Sequence, residues 1–137
     1  MDNCIFCMIA NGEIPSSTIY EDDDFRAILD LGPAAKGHTL ILPKEHFRNL
    51  LDIEDETAGK AICLAKRLAS AMRETLHCDG LNVVQNNEEA AGQTVFHFHM
   101  HVIPRYDGDD AGIGWNIHES DPEELKALAE CIKAGLK

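Results

Sequence analysis

Three histidines stand at alternate positions in one short stretch, His97-Phe98-His99-Met100-His101-Val102, in a chain that has 7 histidines in all. Imidazole can ligate a metal, attack phosphorus or carry a proton near neutral pH, so this stretch is where chemistry is to be sought. In an extended strand, alternate side chains share a face. His97, His99 and His101 are then expected to point one way, with Phe98, Met100 and Val102 turned into a core. Same-face neighbours lie roughly 6.5–7 Å apart, which separates the outer two histidines by about 13 Å. Zinc–nitrogen bonds are only about 2.0–2.1 Å long, so one ion can take two of these neighbours but hardly all three. At least one histidine must do something else. A plain polar strand face would account for one histidine better than for three.

The residues just before the stretch add to the pattern. In Ala91-Gly92-Gln93-Thr94 the glycine lets backbone approach a ligand. Gln93, Thr94 and nearby amides are neutral donors suited to phosphate oxygens. Alone such a turn says little; beside three histidines it says more. A second cluster, Cys4-Ile5-Phe6-Cys7, has the spacing of half a zinc site, of a redox dithiol, or of two unrelated cysteines. A redox pair is expected where a strand runs into a helix, and the residues before Cys4 are too few for a strand. A structural half-site needs two further ligands, for which His46 and His97 are the candidates.

These residues must be held by recognisable elements. Cys4 to Asn11 reads as one or two helical turns ended by Gly12 and Pro15. Residues 18–21 and 25–29 read as strands around an acidic turn, and residues 39–42 as a third strand closed by Pro43. Residues 55–76 form the clearest helix, with Ala58, Ala61, Ile62, Ala65, Leu68, Ala69, Met72 and Leu76 on one stripe and Gly80 placed to end the excursion. Cys63, Cys78 and Cys131 read as small core or boundary residues. Residues 81–85 are a further strand, residues 86–93 a polar loop, and residues 95–103 the histidine strand, stopped by Pro104. The last helix opens with a capping box, Ser120 with Glu123, and is expected to bury Leu125, Leu128, Ala129, Ile132 and Leu136. This order predicts an α+β fold with an antiparallel meander.

At 137 residues the chain has the size of one domain with its own core. Its formal charge of -12 suits it poorly to a polyanion, so no nucleic-acid partner is expected. A small phosphorylated ligand remains compatible, because local donors overcome a distant field. No apolar run reaches membrane-spanning length and no secretory signal is visible, so no membrane association is expected. The 5 cysteines, odd in number and unevenly spaced, argue against a disulfide framework and for a reducing, cytoplasmic setting.

The stretch His97 to Ile103 resembles, at every position, the signature of the histidine triad (HIT) family. The segments Gly37–His46 and Ala91–Arg105 resemble the two family hallmarks in their usual order, and the likeness runs from about Cys4 to Arg105. Cys4 and Cys7 resemble the zinc-bearing microbial branch. The resemblance implies one HIT domain over residues 1–137, with a core at 4–105 and a tail and helix at 106–137. It implies a five-stranded antiparallel half-barrel with one long helix and a C-terminal helix, usually paired as a homodimer. The implied activity is hydrolysis or transfer at the α-phosphate of a nucleoside phosphoramidate or dinucleoside polyphosphate, with a purine nucleotide as substrate. His99 would be the nucleophile, through a nucleotidyl-histidine intermediate, and His101 would bind the α-phosphate and assist the leaving group. Gln93 and Thr94 would hold phosphate oxygens, Asn86 the phosphate end of the pocket, and His38 would sit beside the cluster. Asp30 would bind ribose hydroxyls, and Ile28 and Leu29 would wall the base pocket. A structural zinc would take Cys4, Cys7, His46 and His97.

One departure concerns Glu88, which stands where relatives often carry glycine. Two consecutive glutamates beside a phosphate site are expected to disfavour highly charged polyphosphates. Two rival readings accompany this one: a hydrolase whose zinc, on His97 and His99, activates water, and a nucleotide-binding regulatory module with vestigial turnover. Attack by imidazole requires a neutral ring, and a hydrogen bond from Nδ1–H to a carbonyl would fix the tautomer that leaves Nε2 free.

Overall fold

The computed structural model describes residues 3–137. Its first helix, α1 (Ile5–Ala10), is opened by Cys4, whose sulfur accepts from the Cys7 amide, and closed at Asn11 before Gly12 turns the chain. Strands β1 (Thr18–Glu21) and β2 (Phe25–Leu29) form a hairpin. The acidic turn between them has a local cause: Asp22 Oδ1 accepts from the Asp24 and Phe25 amides, each at 2.8 Å. Strand β3 (Thr39–Pro43) pairs antiparallel with β2 over its whole length.

The chain then leaves the sheet for α2 (Asp55–Leu76) and returns as β4 (Gly80–Val84) and β5 (Met100–Arg105). Strand β5 inserts between β3 and β4, giving the order β1-β2-β3-β5-β4 with every pair antiparallel. The architecture is therefore the expected α+β, an open five-stranded antiparallel sheet with helices on its faces.

Two apolar clusters flank the sheet. On one face Ala61, Leu64, Ala65, Leu68 and Met72 of α2 pack on Phe25, Ile41, Phe98, Met100 and Val102. Burial of each larger side chain contributes about 1.5–3 kcal/mol. On the other face Ala10, with Phe6 and Ile9 of α1, meets Ile28, Leu40 and Leu42. The expected stripe on α2 is off at one point: Ile62 is half exposed, and Leu64 takes the buried place. Cys63 and Cys131 are exposed as well; only Cys78 of the three is buried.

Several expected boundaries move, each for a physical reason. Helix α2 ends on His77 in the left-handed conformation (φ 53°), and Gly80 is already the first residue of β4. The ladder of β5 begins at Met100 rather than residue 95, and Pro104 lies inside it. The proline is tolerated because Arg105 turns its carbonyl to β4, accepting from Asp79 at 2.8 Å, so Pro104 turns its missing N–H to the other side. There the ladder with β3 has already ended at Thr39 and Val102. Gly37 fills that corner with φ 93°; a Cβ on it would lie 2.6 Å from Leu76 Cδ1 and 3.1 Å from Pro104 Cγ. Only glycine fits both the space and the angle.

The last helix, α3 (Pro122–Gly135), departs most from expectation. Its N-cap is Asp121, not Ser120, no side chain caps it, and Pro122 stands in its first turn. None of its residues is buried: Leu125 is 52% exposed and Ile132 71%. Residues 106–121 lead to it without helix or strand, so its apolar row gains no cover from the sheet.

Candidate active site and metal centre

The alternation of His97 to Val102 places the side chains as a strand would, although the ladder starts only at Met100. Phe98, Met100 and Val102 join the core under α2. The Phe98 amide, which has no ladder partner, donates instead to the Phe47 carbonyl at 2.6 Å. The three histidines divide between two clusters.

His97 joins Cys4, Cys7 and His46, whose ligand atoms all lie within 4.8 Å of one another. Cys4 Sγ is 3.5 Å and Cys7 Sγ 3.4 Å from His97 Nδ1, and Cys7 Sγ is 3.3 Å from His46 Nδ1. A tetrahedron with zinc–sulfur and zinc–nitrogen bonds of about 2.3 and 2.05 Å has sulfur–nitrogen edges of about 3.5 Å. The four groups therefore fit such an ion by both donor type and spacing. The tautomer fits as well: His97 Nε2–H donates to the Pro43 carbonyl at 2.8 Å, which leaves Nδ1 to face the sulfurs. Burial, with Cys4 adding to it, pushes the Cys7 thiol up to about 11, so a metal taken up here must displace a proton.

His99 and His101 face the second cluster. The His99 Nδ1–H donates to the His97 carbonyl at 2.7 Å, so Nε2 carries the lone pair. Burial lowers the pKa of His99 against the opposing pull of that carbonyl and of Asp30, which keeps the ring neutral. A second chain of bonds fixes His101. The Ala34 amide donates to His38 Nδ1 at 2.9 Å, so neutral His38 holds its proton on Nε2. That proton goes to His101 Nδ1, also 2.9 Å away, which leaves His101 with N–H on Nε2. Asp30 Oδ2 stands 3.5 Å from His38 Nε2 and steadies the same proton. One ring thus offers a lone pair and its neighbour, 5.0 Å away between centroids, offers a proton.

Burial, with His99 and His38 adding to it, holds His101 down to about 4. Below the usual value of 6.5 the unfolded chain binds a proton that the folded ring refuses, so this stability is complete above about pH 6.5 and is lost toward pH 4. Unfolding midpoints taken across that window are expected to fall with pH in the wild type and to fall less steeply in His101→Gln. Equal slopes would overturn the assignment.

Both rings open on a cavity of about 410 Å³, in the range of small-molecule sites. Ile28, Leu29, Asp30, Thr94, His99 and His101 line it. The sequence did not point to Ile5, Phe6 and Ile9 of α1 or to Ser16 and Ser17, which line it too. Phe6 meets His99 edge to face, with centroids 4.9 Å apart at 87°. The signal was the apolar pair inside Cys-Ile-Phe-Cys, but a helix of 6 residues is too short for periodicity to show which side faces a ligand.

Two expected donors are placed differently. Gln93 is 2% exposed, and both its amide hydrogens are used, by the Arg48 carbonyl at 2.7 Å and the Val95 carbonyl at 3.1 Å. Asn86 does not line the cavity; its carboxamide lies against Gly92, where a Cβ would come within 3.7 Å of it. Glu88 also turns away: its carboxylate receives Arg48 Nε at 2.9 Å, Arg48 Nη2 at 2.8 Å and Asn49 Nδ2 at 2.6 Å. With its charge paired, Glu88 does not present the repulsion that two consecutive glutamates led one to expect.

The sequence model of the HIT domain matches residues 11–108, so the chain belongs to the HIT domain family. The crystal structure of a protein from Streptococcus mutans UA159 is similar to it with a TM-score of 0.95 and 45% identity, covering 100% of this chain and 87% of that one. The crystal structure of a zinc-bound histidine triad family protein from Mycobacterium smegmatis is similar with a TM-score of 0.78 and 42% identity, covering 97% of this chain and 98% of that one. The adenosine 5'-monophosphoramidase hnt1 of Schizosaccharomyces pombe is 38% identical over 136 residues, 98% of this chain and 99% of its own length.

Proposed function

We propose that the protein is a nucleotidyl hydrolase or transferase that cleaves at the α-phosphate of a purine nucleoside phosphoramidate or dinucleoside polyphosphate through a covalent nucleotidyl-His99 intermediate. The observation that carries this reading is the pair of opposite tautomers: a lone pair on His99 Nε2 beside a proton on His101 Nε2. His99 attacks the α-phosphorus as the bond to the leaving group breaks, and His101 Nε2–H hydrogen-bonds the departing atom, which takes its proton from solvent. Water then attacks the nucleotidyl-histidine, loses a proton to solvent, and releases the nucleoside monophosphate and a neutral His99. Thr94 and the backbone amides beside it receive the phosphate oxygens. Asp30 takes the ribose hydroxyls, and Ile28 and Leu29 with Phe6 wall the base. The name of the Schizosaccharomyces pombe relative supports the phosphoramidate branch. Gln93 acts on this reading from behind, by holding the loop.

Cys4, Cys7, His46 and His97 would hold a zinc ion with no open position, so its contribution is to tie α1 to the segment that carries His99. The zinc-bound Mycobacterium smegmatis relative supports that assignment. No helix of the described residues is long and apolar enough to cross a membrane. A cytoplasmic setting, in which the thiols stay reduced for the metal, is part of the reading. So is a homodimer, supported by the uncovered Leu125, Leu128 and Ile132 of α3. Sedimentation at micromolar concentration is expected to give twice the chain mass, and a monomer would remove that part.

The central test compares turnover of adenosine 5′-phosphoramidate with that of a diadenosine polyphosphate. Cleavage of either supports the reading, and the preferred compound names the branch. AMP binding without cleavage of either would favour the binding module instead.

A further inference from the structure

We infer that Arg48 is a positioning residue: by holding Glu88 in a backbone conformation that only glycine adopts freely, it fixes the segment bearing Thr94, His97 and His99. The inference rests on the proposed function, because it concerns how that site is kept in register.

The starting observation is conformational. Glu88 has φ 73° and ψ 162°, a region that residues with a Cβ avoid. His77, the other described non-glycine residue with positive φ, is an ordinary left-handed helix cap at φ 53° and ψ 40°. Glu88 therefore stays where it is only because the surroundings hold it. An exposed ion pair alone holds little. Here one carboxylate takes the guanidinium fork of Arg48 at 2.9 and 2.8 Å and Asn49 Nδ2 at 2.6 Å. The two-pronged geometry, with a third donor that is nearly inaccessible to solvent, defines the direction of the side chain and hence of its backbone.

What Glu88 holds in turn is the approach to the histidines. Its N–H donates to Gln93 Oε1 at 2.8 Å, and its carbonyl accepts from the Gln93 amide at 3.1 Å. Gln93 Oε1 also accepts from Asn49 at 3.1 Å, while its Nε2 reaches the Arg48 and Val95 carbonyls. The Arg48 guanidinium carbon lies 4.3 Å from the centre of the Phe96 ring. Residues 47–49 are thus tied, through Phe47, Arg48 and Asn49, to positions 88, 93, 96 and 98, and Gln93 carries the tie on to Val95. Residues 93–99 have no ladder of their own, because β5 begins at Met100. These ties replace one, and His99 takes its orientation from the His97 carbonyl inside the same segment.

The requirement at position 88 is then for a backbone shape and not for a charge, which gives a test by rescue. With glutamate at 88, Arg48→Ala releases the strained residue. Turnover is expected to fall about tenfold, as a displaced reacting group implies. AMP should bind several-fold more weakly, adenosine equally well, and amides of residues 88–99 should exchange faster. Glu88→Gly relaxes into the same shape unaided and should keep turnover within about twofold of wild type. In the double variant, Arg48→Ala should then cost nothing. Normal turnover in Arg48→Ala, or a double variant no better than Arg48→Ala, would overturn the inference. Arg48→Gln is the second probe should the alanine variant not fold, with the same loss and the same rescue expected. A wild type that neither turns over nor binds AMP would sink the proposed function and this inference with it, whereas an active wild type with indifferent variants sinks this inference alone.

Discussion

His99→Ala is expected to lower turnover of a nucleoside phosphoramidate about 10⁴-fold or more while AMP still binds. The size follows from the role: removing a nucleophile closes the two-step route and leaves only binding and donor effects over the uncatalysed reaction. Residues of α1 and β2 help form the cavity wall and His99 contributes only part of it, so affinity for the monophosphate should change severalfold at most. Rapid acid-free quenching of the wild type should show a nucleotidyl adduct on His99 that the variant lacks. A variant that retains turnover within about tenfold would exclude covalent catalysis at this residue and favour direct attack by water. The placement of the lone pair makes the prediction sharp, because the alternative tautomer is blocked by the His97 carbonyl at 2.7 Å.

Metal removal is expected to have the second largest effect, on stability before chemistry. Cys4 and Cys7 stand 93 and 90 residues before His97, and the bonds they would share through an ion close that long excursion. Structural zinc contributes on the order of 10 kcal/mol in small peptides that cannot fold without it. This chain has its own core, so a smaller share appears as stability, and a fall of about 10 °C in Tm on chelation is expected. Turnover measured well below that midpoint should persist in part. The rival in which zinc activates water predicts complete loss of turnover and no covalent intermediate. Cys7→Ser should mimic the chelator in Tm and should release fewer protons on metal addition, since the thiol at about 11 is among the groups that must give one up.

Much of this was legible in the sequence, and the exceptions have identifiable causes. Local rules place α1, β1, β2, β3 and α2, since capping, acidic turns and helical periodicity act between near neighbours. The same alternation that identified the histidines also assigned Phe98, Met100 and Val102 to the core. It overstated the strand, because alternation records which way side chains point and not whether the backbone finds a ladder partner. Pro104 was misread as a stop because its tolerance depends on where the β3 ladder ends, a fact about another strand. Gln93 has suitable atoms, but whether its donors are free depends on the Arg48 and Val95 carbonyls, which the sequence does not mark as partners. The apolar row of α3 predicts burial against something; the sequence carries no mark of whether that cover lies in the same chain.

The order of the sheet bears on how the molecule comes into being. Strand β4 precedes β5 in sequence, yet β5 is its only partner in the sheet. Until residues 100–105 arrive, β4 is an orphan and the β1-β2-β3 meander carries an open edge at β3. The meander rests on short-range pairings that close quickly, while β5 joins strands whose pairing partners are tens of residues apart, the slow kind of contact. A nascent chain therefore gains its histidines and its complete sheet from the same late segment. Completion of the sheet and meeting of the His99 and His101 rings become one event, and a half-made chain has neither.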